Sequence, residues 1–174
     1  MTIAFYEFSV GSFLQILGGV AGTLEKGAEH AEASGVDVDE IVEARLSDDM
    51  WPFRDQIFSV SHHSLGCIRG VENGLFQPPE LDPTLSYTGC QQLIADTIAT
   101  LQSYSPEQIE ALAAQPVQFK ASRFELSFAT AAEFVASFSL PNFYFHAATA
   151  YDLLRMRGTP LGKLNFMGQM RVQG

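Results

Sequence analysis

The chain has 174 residues, of which 47% are hydrophobic and 17% charged, so it can bury a core and is too apolar for a disordered protein. Its formal net charge of −10 would repel a phosphate backbone, so we expect no binding to nucleic acid. No apolar run reaches the about 20 residues that span a bilayer, so no membrane association is expected. These properties predict one domain over residues 1–174.

The first 22 residues are apolar, but they contain no basic segment and are interrupted by Glu7. This pattern favours a core helix over an export signal. The two cysteines, Cys67 and Cys90, lie in helical patterns and form no CxxC pair, which is typical of buried thiols in a reducing compartment. We therefore predict a cytoplasmic protein.

Apolar residues recur at helical spacing in four long stretches. The predicted long helices cover residues 2–31, 53–72, 87–103 and 130–157. Ser34–Gly35, Asn73–Gly74 and Gly158 are expected to end the first, second and last of them, and Pro141 predicts a kink or break in the last. Helices that are apolar on one face must bury it together, so the pattern predicts an all-α four-helix bundle.

The connections between these helices carry their own signals. Residues 36–46 read as a short amphipathic helix, and residues 106–113 as another that begins at Ser105-Pro106. The Pro-rich residues 77–83 predict a long crossover loop. Alternating residues at 124–128 indicate a strand that pairs with 117–120 in a small hairpin, and residues 159–174 read as a loop.

On the last helix, Asn142 and His146 are four residues apart and fall within a predicted inward stripe. That stripe consists of Phe138, Phe145, Thr149, Leu153 and Met156. A buried imidazole and carboxamide both need hydrogen-bond partners, which a core contact, a ligand or a metal could supply. The spacing alone leaves open whether the pair fixes helix register or forms a site.

His62 and His63 flank the inward stripe of the second helix on opposite edges, so at most one of them can point to the bundle centre. Either of them, together with His146, would supply two imidazole ligands to Zn, Ni or Fe. Gly66 and Gly70 form a small-residue face opposite the stripe, which is a candidate contact for a homodimer. Two nitrogens alone are too few to define a metal site.

The segment from Leu140 to Gly168 resembles the signature of a bacterial family of unknown function within the DinB/YfiT-like metalloenzyme superfamily. The matching residues are Pro141 to His146, Ala150-Tyr151, Leu154-Arg155, Gly158 and Pro160 to Lys163. Trp51-Pro52-Phe53, Gln56 and Tyr87 also fit, and the resemblance extends over the whole chain in length and order.

This resemblance implies a four-helix bundle with up-down-down-up order and a long crossover, commonly paired as a homodimer. It also implies a site of three histidines, with one from the second helix and a H-x-x-x-H pair from the last. Only His146 matches that pair, because Ala150 stands four residues after it and Asn142 four before it. His62 or His63 would match the ligand from the second helix.

Three functions remain open from the sequence. The first is binding of a small ligand in the bundle cavity near Asn142, His146 and Tyr151, beside a degenerate metal site. The second is a metal-dependent enzyme that uses Zn, Ni or Fe, such as a thiol-dependent transferase. The third is a structural or regulatory dimer without catalysis. The sequence therefore leaves open whether the protein is an enzyme.

Overall fold

The computed structural model describes residues 3–172 as a mostly helical chain with one small sheet. The helices are α1 (Phe5–Phe8), α2 (Val10–Ser34), α3 (Phe53–Ser61), α4 (Cys67–Asn73), α5 (Tyr87–Gln102), α6 (Pro106–Glu110), α7 (Ala131–Phe134), α8 (Leu140–Met156) and α9 (Lys163–Met167). The strands are β1 (Leu75–Phe76), β2 (Val117–Lys120) and β3 (Glu125–Phe128). Two π-helical turns, His62–Gly66 and Val135–Ser139, join α3 to α4 and α7 to α8.

Several helix ends lie where the sequence predicts them. Gly35 and Gly74 follow α2 and α4 with φ of +67° each, a conformation that glycine adopts without strain. Ser105 caps α6 in a reciprocal capping box, and Pro106 occupies its first helical position. Gly158 follows α8 with φ of +92°. Local side-chain chemistry therefore sets these boundaries.

The longer helices bury their apolar faces against one another. Helix α3 packs on α5 and α8, and α2 packs on α5, α8 and α9. Their buried apolar side chains form one connected cluster. A Cβ atom at Gly19 would come within 2.4 Å of the Phe166 carbonyl oxygen, so this glycine allows α9 to lie directly on α2. Over residues 3–172, no helix is both long and apolar enough to cross a membrane.

The sheet contains the predicted hairpin and one further strand. Strands β2 and β3 pair antiparallel, and β1 pairs parallel with β2 so that Phe76 lies beside Phe119. The ring of Phe76 covers Gly70, where an added Cβ would come within 2.9 Å of it. His62 covers Gly66 in the same way. The sheet thus covers Gly70, whereas Gly66 stays half-exposed beside His62.

The predicted first helix is interrupted at Ser9, whose hydroxyl donates to the Phe5 carbonyl oxygen (2.6 Å), and it continues to Ser34. Its predicted start at residue 2 lies outside the described residues. The helix predicted over 36–46 is wrong except for a 3-10 turn, Val38–Glu40, because the Asp37 carboxylate accepts from the Asp39 amide and favours a turn.

Two predictions near the end of the chain also need correction. The last helical segment is interrupted by the π-helical turn Val135–Ser139, directly before the position at which Pro141 predicted a kink. Proline is tolerated there because it lies in the first turn of α8. The predicted loop over 159–174 contains α9, and its last two residues lie outside the described part.

Candidate functional site

A cavity of about 270 Å³ lies between α3, α8, the sheet and the Pro-rich loop. Its apolar wall is formed by Trp51, Phe76, Pro78, Pro79, Phe119 and Phe138. Its polar wall is formed by Ser59, His62, His63, Asn142 and His146. The structure therefore places His62, His63, Asn142 and His146 along one cavity.

A chain of two hydrogen bonds fixes the proton on His146. The Gln56 amide Nε2 donates to the Trp51 carbonyl oxygen (2.9 Å), so its Oε1 faces the imidazole. Because an amide oxygen only accepts, the His146 Nδ1 must carry the proton in the 2.7 Å contact with Gln56 Oε1. The Nε2 of His146 is then an unprotonated acceptor at the cavity.

Burial keeps this imidazole neutral. His146 is only 8% exposed, and burial, aided by the nearby His62, lowers its pKa to about 4. The ring lies nearly parallel to the Trp51 indole, with 5.8 Å between ring centroids. Packing and the Gln56 contact therefore hold one tautomer of a neutral imidazole in one orientation.

His63 is the histidine of the second helical segment that points into the interior. Its ring is nearly parallel to that of His146 with centroids 5.7 Å apart, and it is also 8% exposed. Burial, and then the neighbouring His62 and His146, lower its pKa to about 3. The buried Nδ1 makes no hydrogen bond to any described residue, so a ligand can reach this ring only through Nε2.

The π-helical turn His62–Gly66 aims His63 into the cavity. Such a turn widens the helix and releases backbone groups from the regular hydrogen-bond ladder. The hydroxyl of Ser139, in the other π-helical turn, donates to the His63 carbonyl oxygen across 2.9 Å. The two turns are therefore tied together directly behind the imidazole.

His62 lines the same cavity but directs its nitrogens elsewhere. Its Nε2 contacts the Gln77 carbonyl oxygen at 2.9 Å, which places the proton on Nε2. Its Nδ1 lies over Gly66, where an added Cβ would come within 3.0 Å of it. Burial lowers the pKa of His62 as well, although the Gln77 contact opposes this effect. The ring thus serves mainly as a wall beside Phe76.

The remaining predicted site residues fall in two places. Asn142 is half-buried at the cavity, and its Nδ2 donates a hydrogen bond to the Phe138 carbonyl oxygen (2.7 Å). The Oδ1 atom takes no part in that bond. Tyr151 does not line the cavity, because its ring packs against Phe166 of α9 at 5.9 Å between centroids. The structure therefore separates Tyr151 from Asn142 and His146.

The inward stripe predicted for the last helix needs correction at two of its members. Phe145 is 55% exposed and Met156 is 65% exposed. The buried face of α8 instead carries Phe143, Ala147, Ala150, Leu153 and Leu154 beside His146. His146 and Asn142 consequently lie at the edge of the buried face, where α8 meets the cavity, rather than at its centre.

The donors at this site do not fit a metal centre of three histidines. Among residues 3–172, no group of three or more His, Cys, Asp or Glu side chains could hold one ion together. Only His63 and His146 present a nitrogen to the cavity, since both nitrogens of His62 are directed elsewhere. Ala150 stands where the resemblance implied the second histidine of the last helix.

Sequence reasoning missed the role of Gln56 and the wall formed by Trp51, Phe76 and Phe119. One signal was present: Gln56, Ser59 and His63 follow one another at spacings of three and four, so they share a helix face. The aromatic wall depends on β1 and on the hairpin, which come from distant parts of the chain. Helical spacing carries no information on such contacts.

The family of the chain follows from comparison with known proteins. Residues 5–167 match the family model described as "Domain of unknown function (DUF1993)". No curated protein matches the chain significantly. A crystal structure of a DinB family member protein from Shewanella denitrificans is similar with a TM-score of 0.80 and 25% identity, covering 97% of this chain and 94% of that chain. The fold is therefore DinB-like, and the chain belongs to the DUF1993 family of domains of unknown function.

Proposed function

We propose that this protein binds a small, neutral and largely apolar ligand in the cavity between α3, α8 and the sheet. The observation that carries the proposal is a partly enclosed aromatic wall facing two buried imidazoles that stay neutral at pH 7. An apolar pocket with a few convergent polar groups is the usual form of a small-molecule site. The imidazoles would orient the ligand, and the aromatic rings would supply most of the affinity.

Charge restricts the ligand class. No charged side chain is among the residues that line the cavity in the described chain, and the protein as a whole carries a formal charge of −10. A carboxylate or phosphate would lose its hydration without gaining a cationic partner, which is costly. The proposal therefore excludes anionic ligands.

The volume restricts ligand size. A dry cavity of about 150 Å³ is enough to bind benzene in a protein interior. The cavity here, about 270 Å³, has room for one aromatic ring with a short substituent. A larger cofactor would have to extend past Trp51, which is 43% exposed at the edge of the site.

The other predictions from the sequence belong with this proposal. We propose that the four long helical segments form a DinB-like bundle over one domain, a view supported by the packing of α2, α3, α5 and α8 around one connected core. The homodimer and the cytoplasmic location remain predictions. A metal-dependent activity receives less support than ligand binding, because the cavity offers two imidazoles rather than three.

The test uses Trp51, which is the single tryptophan of the chain and stacks on His146 at the cavity. Titration with toluene should change the fluorescence of Trp51 and raise the Tm. Indole, whose binding is followed by calorimetry, should also raise the Tm. Benzoate should neither bind nor raise the Tm. Ser59→Leu, which enlarges a side chain in the cavity wall, should abolish the response. Ser137→Leu, at an exposed serine outside the lining, is the matched control.

Two outcomes would count against the proposal. Binding of toluene that persists unchanged in Ser59→Leu would place the ligand elsewhere. Retention of about one equivalent of Zn, Ni or Fe after dialysis, lost in His146→Ala, would favour the metal-dependent alternative instead.

A further inference from the structure

The two imidazoles at the cavity carry their protons differently, and this difference bears on which ligand would fit. His146 holds its proton on Nδ1, because Gln56 offers only an acceptor there, and it presents a bare Nε2 to the cavity. A ligand must therefore donate a hydrogen bond to His146.

His63 has the opposite arrangement. Its Nδ1 is buried with no hydrogen-bond partner among the described residues. A buried N–H without an acceptor is rarer in proteins than an unused acceptor, so the proton belongs on Nε2, the nitrogen that a ligand can reach. His63 therefore presents a donor, and a ligand must accept a hydrogen bond from it.

The spacing of the rings suits one small head group. Their centroids are 5.7 Å apart with an angle of 14° between the ring planes. Two hydrogen bonds of about 2.8 Å that meet at the tetrahedral angle of one oxygen join nitrogen atoms about 4.6 Å apart, a separation that the ring nitrogens can reach when the ring centroids are 5.7 Å apart. A hydroxyl group is the smallest neutral group that accepts one hydrogen bond and donates another through a single atom.

We propose that the ligand is a neutral alcohol or phenol with a compact apolar body, whose hydroxyl accepts from His63 Nε2 and donates to His146 Nε2. The aromatic wall of Trp51, Phe76, Phe119 and Phe138 holds the apolar body. Gln56 is a positioning residue, because it selects the His146 tautomer without touching the ligand. This inference rests on the proposed function and narrows it to one ligand class.

The test compares benzyl alcohol with toluene, which differ by one hydroxyl, in titrations of the full-length protein monitored through Trp51 fluorescence and calorimetry. Benzyl alcohol should bind about tenfold more tightly, as expected for one to two satisfied hydrogen bonds. In His146→Phe, which keeps a ring but removes both nitrogens, the ratio of the benzyl alcohol affinity to the toluene affinity should fall to about one. His30→Phe, at a histidine outside the cavity, should behave as the unmodified protein.

Gln56→Leu gives a second test that leaves both imidazoles in place. Without the amide acceptor, the His146 proton can move to Nε2, so the preference for benzyl alcohol should fall although the toluene affinity does not. Equal affinities for toluene and benzyl alcohol, or a preference that survives in His146→Phe, would overturn this inference but leave the proposed function intact. Failure of both compounds to bind would overturn both.

Discussion

Among single residues, Gln56 has the most specific role in the structure. Its amide is almost fully buried at 1% exposure, and it joins the Trp51 backbone to the His146 ring. A buried imidazole could exist in either tautomer, and the partner of one nitrogen decides the state of the other. The chemistry of the cavity thus depends on a side chain that does not line it.

Replacing Gln56 with glutamate should change the protonation of His146. A carboxylate next to the Nδ1–H favours the charged imidazolium, so the pKa of His146 should rise from about 4 by roughly 1–3. An NMR titration of the His146 ring protons would measure this value. Gln118→Glu, on an exposed part of β2, is the control and should leave it unchanged. An unaltered pKa in Gln56→Glu would mean that residue 56 does not contact the ring.

Part of the arrangement at this cavity follows from helical spacing. That spacing places Asn142 and His146 on one face of the last helix and indicates that at most one of His62 and His63 points to the bundle centre. The same reasoning wrongly placed Phe145 and Met156 on the buried face, because large apolar residues were assumed to be buried. The roles of Gln56 and Trp51 depend on a contact between helices, and no local pattern reports that.

Among the elements, the two π-helical turns have the clearest functional consequence. Each adds one residue to a turn of a long helix, and the Ser139 hydroxyl links them at the His63 carbonyl. Without the turn at His62–Gly66, residues on the two sides of it would follow one regular stripe. The turn allows three consecutive residues, His63, Ser64 and Leu65, to be buried.

Ser139→Ala should destabilise the protein by about 1–3 kcal/mol, because it leaves the buried His63 carbonyl without this donor. Denaturant unfolding, followed by circular dichroism, would measure the free energy of unfolding. Ser137→Ala removes an exposed hydroxyl in the same turn, which donates to its own helix, and should change stability by less than about 0.5 kcal/mol. An equal decrease in the free energy of unfolding in the two variants would show that the link between the turns stabilises the protein no more than the exposed hydroxyl does.

Element boundaries followed from the sequence wherever a local interaction sets them. Ser105-Pro106 at the start of α6 and Gly35 and Gly74 after α2 and α4 are such cases. Strand β1 was not predicted, because two residues form no periodic pattern and the strand exists only through pairing with β2. The π-helical turns were missed because a regular spacing of 3.6 residues was assumed throughout each helix.

For the whole molecule, burial of neutral histidines makes stability depend on pH. His63 and His146 have pKa values lowered to about 3 and about 4, against 6.5 in the unfolded chain. At pH values between the lowered pKa of each histidine and 6.5, the unfolded state binds more protons than the folded state. Lowering the pH through this range therefore favours unfolding. Their contribution to stability is complete above about pH 6.5 and is lost as the pH falls towards 4 and then 3.

Acid unfolding should therefore begin below pH 6.5, with a loss of up to about 1.4 kcal/mol per pH unit for each of these two histidines. Denaturant unfolding at a series of pH values between 7 and 4 would measure the slope. His146→Phe removes one of the two groups and should make the slope shallower. His30→Phe serves as the control outside the cavity. A slope that is the same in both variants would mean that His146 is not buried in the neutral form.

The cavity is assembled from two kinds of structure that can change separately over evolution. The imidazoles lie on helical segments fixed by the core, whereas Pro78, Pro79 and Phe119 come from a loop and a hairpin strand at the margin of the fold. Substitutions in these marginal segments can alter the shape of the apolar wall without displacing His63 or His146. Related proteins could thus diverge in the compounds they accept while they retain one mode of recognising the polar head.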